Sequence, residues 1–266
     1  AGDMNADLAN QFLLATNAAY KYEGNAEKLN AVLDGMNSIT NRNSVSMVDM
    51  AEAMSEAGTV AANYRVSIED VSAMIGTMEA VTKSGGNEVG NSLKSILINL
   101  QNITSSKIVD TLDAANASMT EMVNGVEQLR DPISILRDLA ATFTQLDEAD
   151  PLRAEILTNI GGKYQANKLA ALLSNMDMFD KMLVDYSEGS GSAMEEAQKS
   201  ANNWSGSLNK LSNTWTSIVN NFVDSDMMID GINAANSALE TLDKLTSDID
   251  LTSLSTLGTI LGGVLG

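Results

Sequence analysis

The sequence contains no cysteine and no histidine, and these two absences exclude several kinds of chemistry. Without cysteine the chain can form no disulfide, no thiolate metal site and no cysteine nucleophile. Without histidine it lacks the Ser-His-Asp triad, the commonest metal ligand and the commonest general base. An ordinary hydrolase is therefore disfavoured, and we expect no catalytic residue, no metal ligand and no cofactor.

Proline and aromatic residues are also scarce. The two prolines, Pro132 and Pro151, each follow an aspartate, which is typical of helix starts. Aromatic residues make up 4% of the chain, against 15 methionines, so flexible thioethers and small side chains must fill the core. With 44% hydrophobic residues in 266, the chain can bury a substantial core. These features predict an all-α fold.

Basic residues are few: the chain has 16 of them against 35 acidic residues, which gives a formal charge of -19. Phosphate neutralisation needs clustered lysine and arginine, so we expect no direct nucleic-acid binding. Carboxylate pairs such as Asp147-Glu148 and Glu195-Glu196 fit solvated helix surfaces better than acid–base catalysis. Gly85-Gly86 lacks the sequence context of a phosphate-binding loop and is better read as a helix terminator closed by a left-handed glycine.

Helical spacing of apolar residues predicts two helices between residues 4 and 39, paired as a hairpin. The second starts after Asn25, a good N-cap. Two similar helix openings follow, with serine at the N-cap, aspartate three residues later, and apolar residues on either side. This pattern resembles a capping box with a hydrophobic staple, and it predicts two equivalent helices. The four capping residues are Ser46, Asp49, Ser67 and Asp70.

A further helix carries Val89, Leu93 and Leu100 on one face. Gly90 in its first turns indicates either a close helix contact or a tolerated glycine. The order of these elements resembles the core domain of phage tail tape measure proteins, and it departs from that family at Tyr64-Arg65, where the family often has a glycine. The similar stretches are 46–58, 66–71, 85–100, 160–164, 169–175 and 189–194.

Residues 105–131 predict a short helix around Ile108 and Leu112, followed by either a β-hairpin or a plain loop near residues 118–129. Asn124-Gly125 is a strong hairpin signal. An isolated two-stranded ribbon is marginal, so the hairpin is expected to lean on helices. Helices then open at Asp131-Pro132 and Asp150-Pro151, and a third runs from Ala166 to Met176 after Gly161-Gly162.

The longest pattern is a heptad seam in which apolar residues alternate in steps of three and four. Such a seam predicts a long helix that packs on its own chain or forms an intermolecular coiled coil. As a self-association site it comprises Met194, Ala197, Ala201, Trp204, Leu208, Leu211, Trp215, Ile218 and Phe222. An outwardly acidic helix follows. The apolar, glycine-rich stretch 251–266 then suits either close helix packing or the start of a membrane-competent helix.

The chain therefore divides into five predicted segments: a helical bundle at 1–104, an irregular or hairpin connector at 105–131, a helical segment at 132–190, heptad-patterned helices at 191–250, and the apolar start of a further segment at 251–266. It opens Ala1-Gly2-Asp3 without an initiator methionine, so we expect a fragment or a processed product.

The resemblance implies a structural, non-enzymatic tail protein that lies in the tail tube lumen after assembly in the host cytoplasm. Such a protein sets tail length and leaves ahead of DNA at infection. It implies a homo-oligomer, with a trimer favoured, and contacts with tail tube, baseplate or tail-tip proteins and assembly chaperones. The host membrane is a further candidate partner at ejection. The alternative is a helical membrane-perturbing or pore-forming protein.

Overall fold

The computed structural model describes Met4 and residues 6–193, in which ten α-helices, a short π-helix and one β-hairpin are present. The helices are α1 Ala6–Tyr20, α2 Ala26–Arg42, α3 Met47–Asn63, α4 Ile68–Thr82, α5 Gly86–Leu100, α6 Ser106–Ala114, α7 Pro132–Phe143, α8 Pro151–Glu155, α9 Ala166–Leu173 and α10 Met176–Ser187. The π-helix spans Ile156–Gly161, and the strands are β1 Thr120–Val123 and β2 Val126–Leu129. The predicted all-α class with one small hairpin is confirmed.

The core is built around α3 and α4. Helix α3 packs mainly on α5 and α1, whereas α4 packs on α10, α9 and α3. One continuous cluster of buried side chains runs from Met4 to Tyr186, and its largest fully buried members include Phe12, Phe143 and Phe179. Methionines from α2, α3 and α4 fill much of the interior, in agreement with the scarcity of aromatic residues.

Polar side chains fix the starts of several helices, as their sequence positions predict. Asn25 Oδ1 accepts a hydrogen bond from the Lys28 amide at 3.0 Å and begins α2. Asp131 caps α7 through the Ser134 amide at 2.9 Å, and Asp150 caps α8 through the Leu152 amide at 2.8 Å. A proline at the first helical position adds no cost there, because its missing N–H would have no partner inside the helix.

The first two helices are less closely paired than a hairpin implies. Helix α1 packs more extensively on α3 than on α2. The turn between α1 and α2 contains three residues with positive φ, namely Lys21, Glu23 and Gly24. This irregular turn lets α1 cross to the α3 side of the core, so a partner further along the chain supplies its main contact.

The turn that ends α4 differs from the prediction. Lys83, with φ of 55°, takes the left-handed conformation expected of a glycine, whereas Gly85 has an ordinary φ of -68° and is the N-cap of α5. Glycine is needed at the next position for a different reason: a Cβ on Gly86 would overlap the backbone of Asp49. Arg65, where the family often has glycine, also has a positive φ, of 62°.

The β-hairpin forms at the predicted place. Asn124 and Gly125, with φ of 52° and 78°, make its two-residue turn, and Val123 pairs with Val126. The expectation that the ribbon leans on helices is wrong, because seven of its eight strand residues are exposed. It is held at its base instead, where the Arg130 amide donates to Met119 O at 2.9 Å and Met119 is buried.

Two helices in the second half are interrupted where the sequence predicts continuity. The helix that opens at Pro151 changes to the π-helix at Ile156, and Asn99 Nδ2 donates to the Ile160 carbonyl at 2.9 Å. The predicted helix 166–176 ends at Leu173, and α10 begins at Met176 after a change of direction at Asn175. Among the described residues no helix is long and apolar enough to cross a membrane.

Candidate functional site

The predicted self-association seam, Met194 to Phe222, lies outside the described residues, as do the acidic helix after it and the stretch 251–266. The structure does describe the point from which the seam continues. Residues 189–193 follow α10 and return to the side of α2, and a helical turn begins at Ser192. We treat this exit of the chain, together with the capped junction between α3, α4 and α5, as the candidate functional site.

Asp34 of α2 anchors the exit. Its Oδ2 accepts a hydrogen bond from the Gly191 amide at 2.9 Å, and its Oδ1 accepts one from the Ala193 amide at 2.9 Å. The Ser192 hydroxyl donates to the Asp34 carbonyl at 2.7 Å. A carboxylate that receives the free amides of a starting helical turn acts as an N-cap, although here it comes from a distant helix. These bonds hold residues 191–193 against α2.

A close approach of backbone allows this anchoring. A Cβ on Gly189 would lie 2.5 Å from the carbonyl oxygen of Asp34, so a larger residue would push the exit away from α2. Nothing in the sequence around Asp34 marks it as a capping residue. The glycines at 189 and 191 were the available signal, but a glycine pair gives no indication of which helix it contacts.

Ion pairs hold α10 against the end of α2. Arg42 contacts both Asp185 and Glu188, and Lys181 donates to Asp185 at 2.6 Å. Asn43 Nδ2 adds a bond to Asp185 at 2.8 Å. Burial acts to raise the pKa of Asp185, but the hydrogen bonds from Lys181, Asn43 and Arg42 outweigh it and hold the pKa below its usual value. Asp185 is thus a charged, fully partnered group at the base of the exit.

The two capping motifs that look equivalent in sequence differ in three dimensions. Ser67 is closed locally: its Oγ accepts from the Asp70 amide at 3.1 Å and donates to Asp70 Oδ2 at 2.6 Å. Ser46 accepts from the Asp49 amide at 3.3 Å, but its own amide donates to a residue of another helix, Glu79 Oε1, at 2.6 Å.

Asp49 does not bond the Ser46 amide, as the acidic residue of a capping box would, and instead it contacts a third helix. Its Oδ1 accepts a hydrogen bond from the Gly86 amide at 2.9 Å, at the start of α5. Glu79, from the last turns of α4, takes the place that Asp49 would have filled. The start of α3, the end of α4 and the start of α5 are therefore joined by one chain of carboxylate hydrogen bonds.

Glu79 is the residue at this junction that the sequence reading missed. It is 5% exposed, and its Oε2 has no hydrogen-bond partner among the described residues. The pKa of Glu79 is raised to about 7, chiefly because the carboxyl group is buried. The charge of Asp49 adds to this rise, whereas the Ser46 amide and Lys83 oppose it. A lone acidic residue in the otherwise uncharged run 73–81 was the signal that could have found it.

The other positions that the sequence offered for chemistry lie on the surface or contact the chain itself in the described residues. The described part of the chain contains no group of three or more acidic, cysteine or histidine residues that could hold a metal ion. Asp147 and Glu148 are both exposed in the loop after α7. Gly85-Gly86 starts α5 and receives the carboxylate of Asp49, so this helix start is occupied by the chain itself.

Comparison with known proteins identifies the class. Residues 1–162 match the family described as phage-related minor tail protein, which is more than half of the chain, and the chain belongs to this family. The predicted resemblance to tape measure proteins is confirmed by two curated relatives. No solved structure matches.

The first relative is the probable tape measure protein of Escherichia phage P2, which is 22% identical over an alignment of 276 positions. The alignment covers 98% of this chain and 33% of that protein. The second is the tape measure protein of Pneumococcus phage Dp-1, 25% identical over 170 residues that cover 64% of this chain and 14% of that protein. The chain thus spans a third or less of the length of these two relatives.

Proposed function

We propose that this chain is a segment of a tape measure protein that lies in the tail tube lumen, sets tail length during assembly and is released ahead of DNA at infection. The observation that carries the proposal is the alignment with the probable tape measure protein of phage P2 over 98% of the chain. The composition agrees with a structural role, because the sequence offers neither histidine nor cysteine for catalysis.

Within this proposal the described fold and the heptad seam have different tasks. Residues 6–193 form a folded unit with one continuous core, which is suited to fixed contacts with tail tube, baseplate or tail-tip proteins and with assembly chaperones. The seam is suited to self-association, with a trimer favoured, and to spanning length. Asp34 joins the two tasks, because it fixes the turn from which the seam continues.

The test is the length of assembled tails. Removing whole heptads from residues 194–222 should shorten tails by about 10 Å per heptad, because an α-helix rises about 1.5 Å per residue. Removing Ser67 to Gly85 should instead stop assembly, because it deletes α4 from the core. Electron microscopy of purified tails measures both outcomes.

Replacing a heptad with a different heptad of the same apolar pattern is the matched control, and it should leave the length unchanged. Tails of normal length after heptad removal would contradict the proposal. Normal length combined with dye release from liposomes by the full chain would favour the membrane-perturbing alternative instead.

A further inference from the structure

The β-hairpin 120–129 stands out from the rest of the described surface. Ten large hydrophobic residues are exposed in the described part of the chain, and four of them, Met122, Val123, Val126 and Leu129, lie on this ribbon. The hairpin packs chiefly on itself. Exposed apolar side chains that gather in one place are a mark of an interaction surface.

The register of the hairpin shows which backbone groups are free. The Arg130 amide donates to Met119 O, and Val123 and Val126 close the turn, so the pairs 119–130, 121–128 and 123–126 exchange the hydrogen bonds of the ribbon. The peptide groups of Glu127 and Leu129 therefore point away from β1. All four residues of β2 are exposed, which leaves this edge open to a further strand.

Charge decides which kind of strand fits. Between residues 108 and 131 the chain carries five acidic residues, and the single basic residue, Arg130, is bonded to Ser118 O and Asp138. The acidic residues are Asp110, Asp113, Glu121, Glu127 and Asp131. A second copy would bring the same negative charges to the edge, whereas a basic strand would complement them.

We infer that the outer edge of β2 is a docking site for an extended, basic segment of another protein, which adds as a third strand to the hairpin. Backbone hydrogen bonds to Glu127 and Leu129 would supply the pairing. Residues of a strand alternate between faces, so apolar side chains of the incoming strand would cover Val126 on one face. Its lysine or arginine side chains would lie on the other face, beside Glu127. This inference does not depend on the proposed lumen position.

The experiment uses the full chain and two synthetic peptides, one alternating valine with lysine and one alternating valine with glutamate. Binding is followed by fluorescence anisotropy, and the contact is located from backbone amide shifts. The lysine peptide should bind and should shift the backbone amide signals of residues 126–129. Its affinity should fall as the salt concentration is raised. The glutamate peptide should not bind.

Two proline variants separate the β2 edge from the hairpin as a whole. Glu127→Pro removes an outward amide on β2, and Met122→Pro removes the matching outward amide on β1, so neither costs a bond of the ribbon. Binding should be lost in Glu127→Pro and retained in Met122→Pro. Cross-strand contacts between residues 121 and 128 check that the hairpin persists in both.

A charge variant covers the case in which proline disrupts the ribbon. Glu127→Gln keeps every backbone bond and should weaken binding of the lysine peptide about two- to fivefold at low salt. Equal binding of the two peptides, amide shifts confined to other acidic surfaces, or unchanged affinity in Glu127→Gln would overturn the inference. Shifts of residues 126–129 that grow with protein concentration alone would also overturn it, because they would assign the edge to a second copy.

Discussion

Gly90→Ala should lower the free energy of unfolding by about 1–3 kcal/mol, although alanine favours helix formation over glycine by about 1 kcal/mol. A Cβ on Gly90 would lie 2.6 Å from the carbonyl oxygen of Ala53 and 2.8 Å from the Cβ of Glu56. Helix α5 would have to move away from α3, and this is the most extensive helix contact in the described fold. Of the two sequence interpretations, close contact is therefore the right one.

Gly58→Ala is the matched control, because Gly58 also lies inside a helix. Its added Cβ would meet only the side chain of Met54, at 3.3 Å, and a methionine side chain can adjust. This variant should be neutral or more stable by up to about 1 kcal/mol. Urea unfolding followed by circular dichroism measures both. Equal effects at the two positions would show that the α3–α5 contact has room for a methyl group.

Glu79→Gln should remove a pH dependence of stability between about pH 5 and pH 8. The pKa of Glu79 in the folded chain is about 7, above its ordinary value of 4.5, because the carboxyl group is buried. The folded state therefore holds a proton that the unfolded chain releases. That contribution to stability is complete below pH 4.5 and is lost as the pH rises through 7.

Relative to Glu79→Gln, the native chain should thus gain on the order of 2 kcal/mol when the pH falls from 8 to 5. The difference between the two proteins isolates Glu79 from other carboxyl groups, such as Asp185, whose pKa is shifted the opposite way. Glu148→Gln, at an exposed loop position, controls for the loss of one negative charge. A difference between native and Glu79→Gln that stays constant over this range would refute the assignment.

Local signals in the sequence were sufficient for most helix starts. Ser46, Ser67, Asp131 and Asp150 each cap a helix through the amide of a residue two or three positions later, so the interaction lies within a few residues of sequence. Asn124-Gly125 is a local signal of the same kind for the hairpin, for which the sequence left a plain loop as the alternative. The family resemblance was readable because it rests on the order of these local signals.

Contacts between distant parts of the chain could not be predicted from the sequence. Glu79 caps α3 from 33 positions away, and Asp34 caps the turn at Ala193 from 159 positions away. The π-helix was not predicted either, and one of its contacts comes from a distant helix, where Asn99 donates a hydrogen bond to the Ile160 carbonyl. Helical periodicity records which face is buried, but it does not record which partner buries it.

The anchoring of Ala193 on Asp34 also determines how the fold would respond to tension on the chain beyond it. A pull from the carboxyl-terminal side reaches the Asp34 hydrogen bonds first and then α10, which Arg42 of α2 holds through ion pairs with Asp185 and Glu188. The contact between α3 and α5 lies further from the pulled end, and it would carry load after α10 had detached from α2 and α4. Mechanical unravelling would therefore proceed from α10 inward, and the α1–α3–α5 group would be the last part to give way.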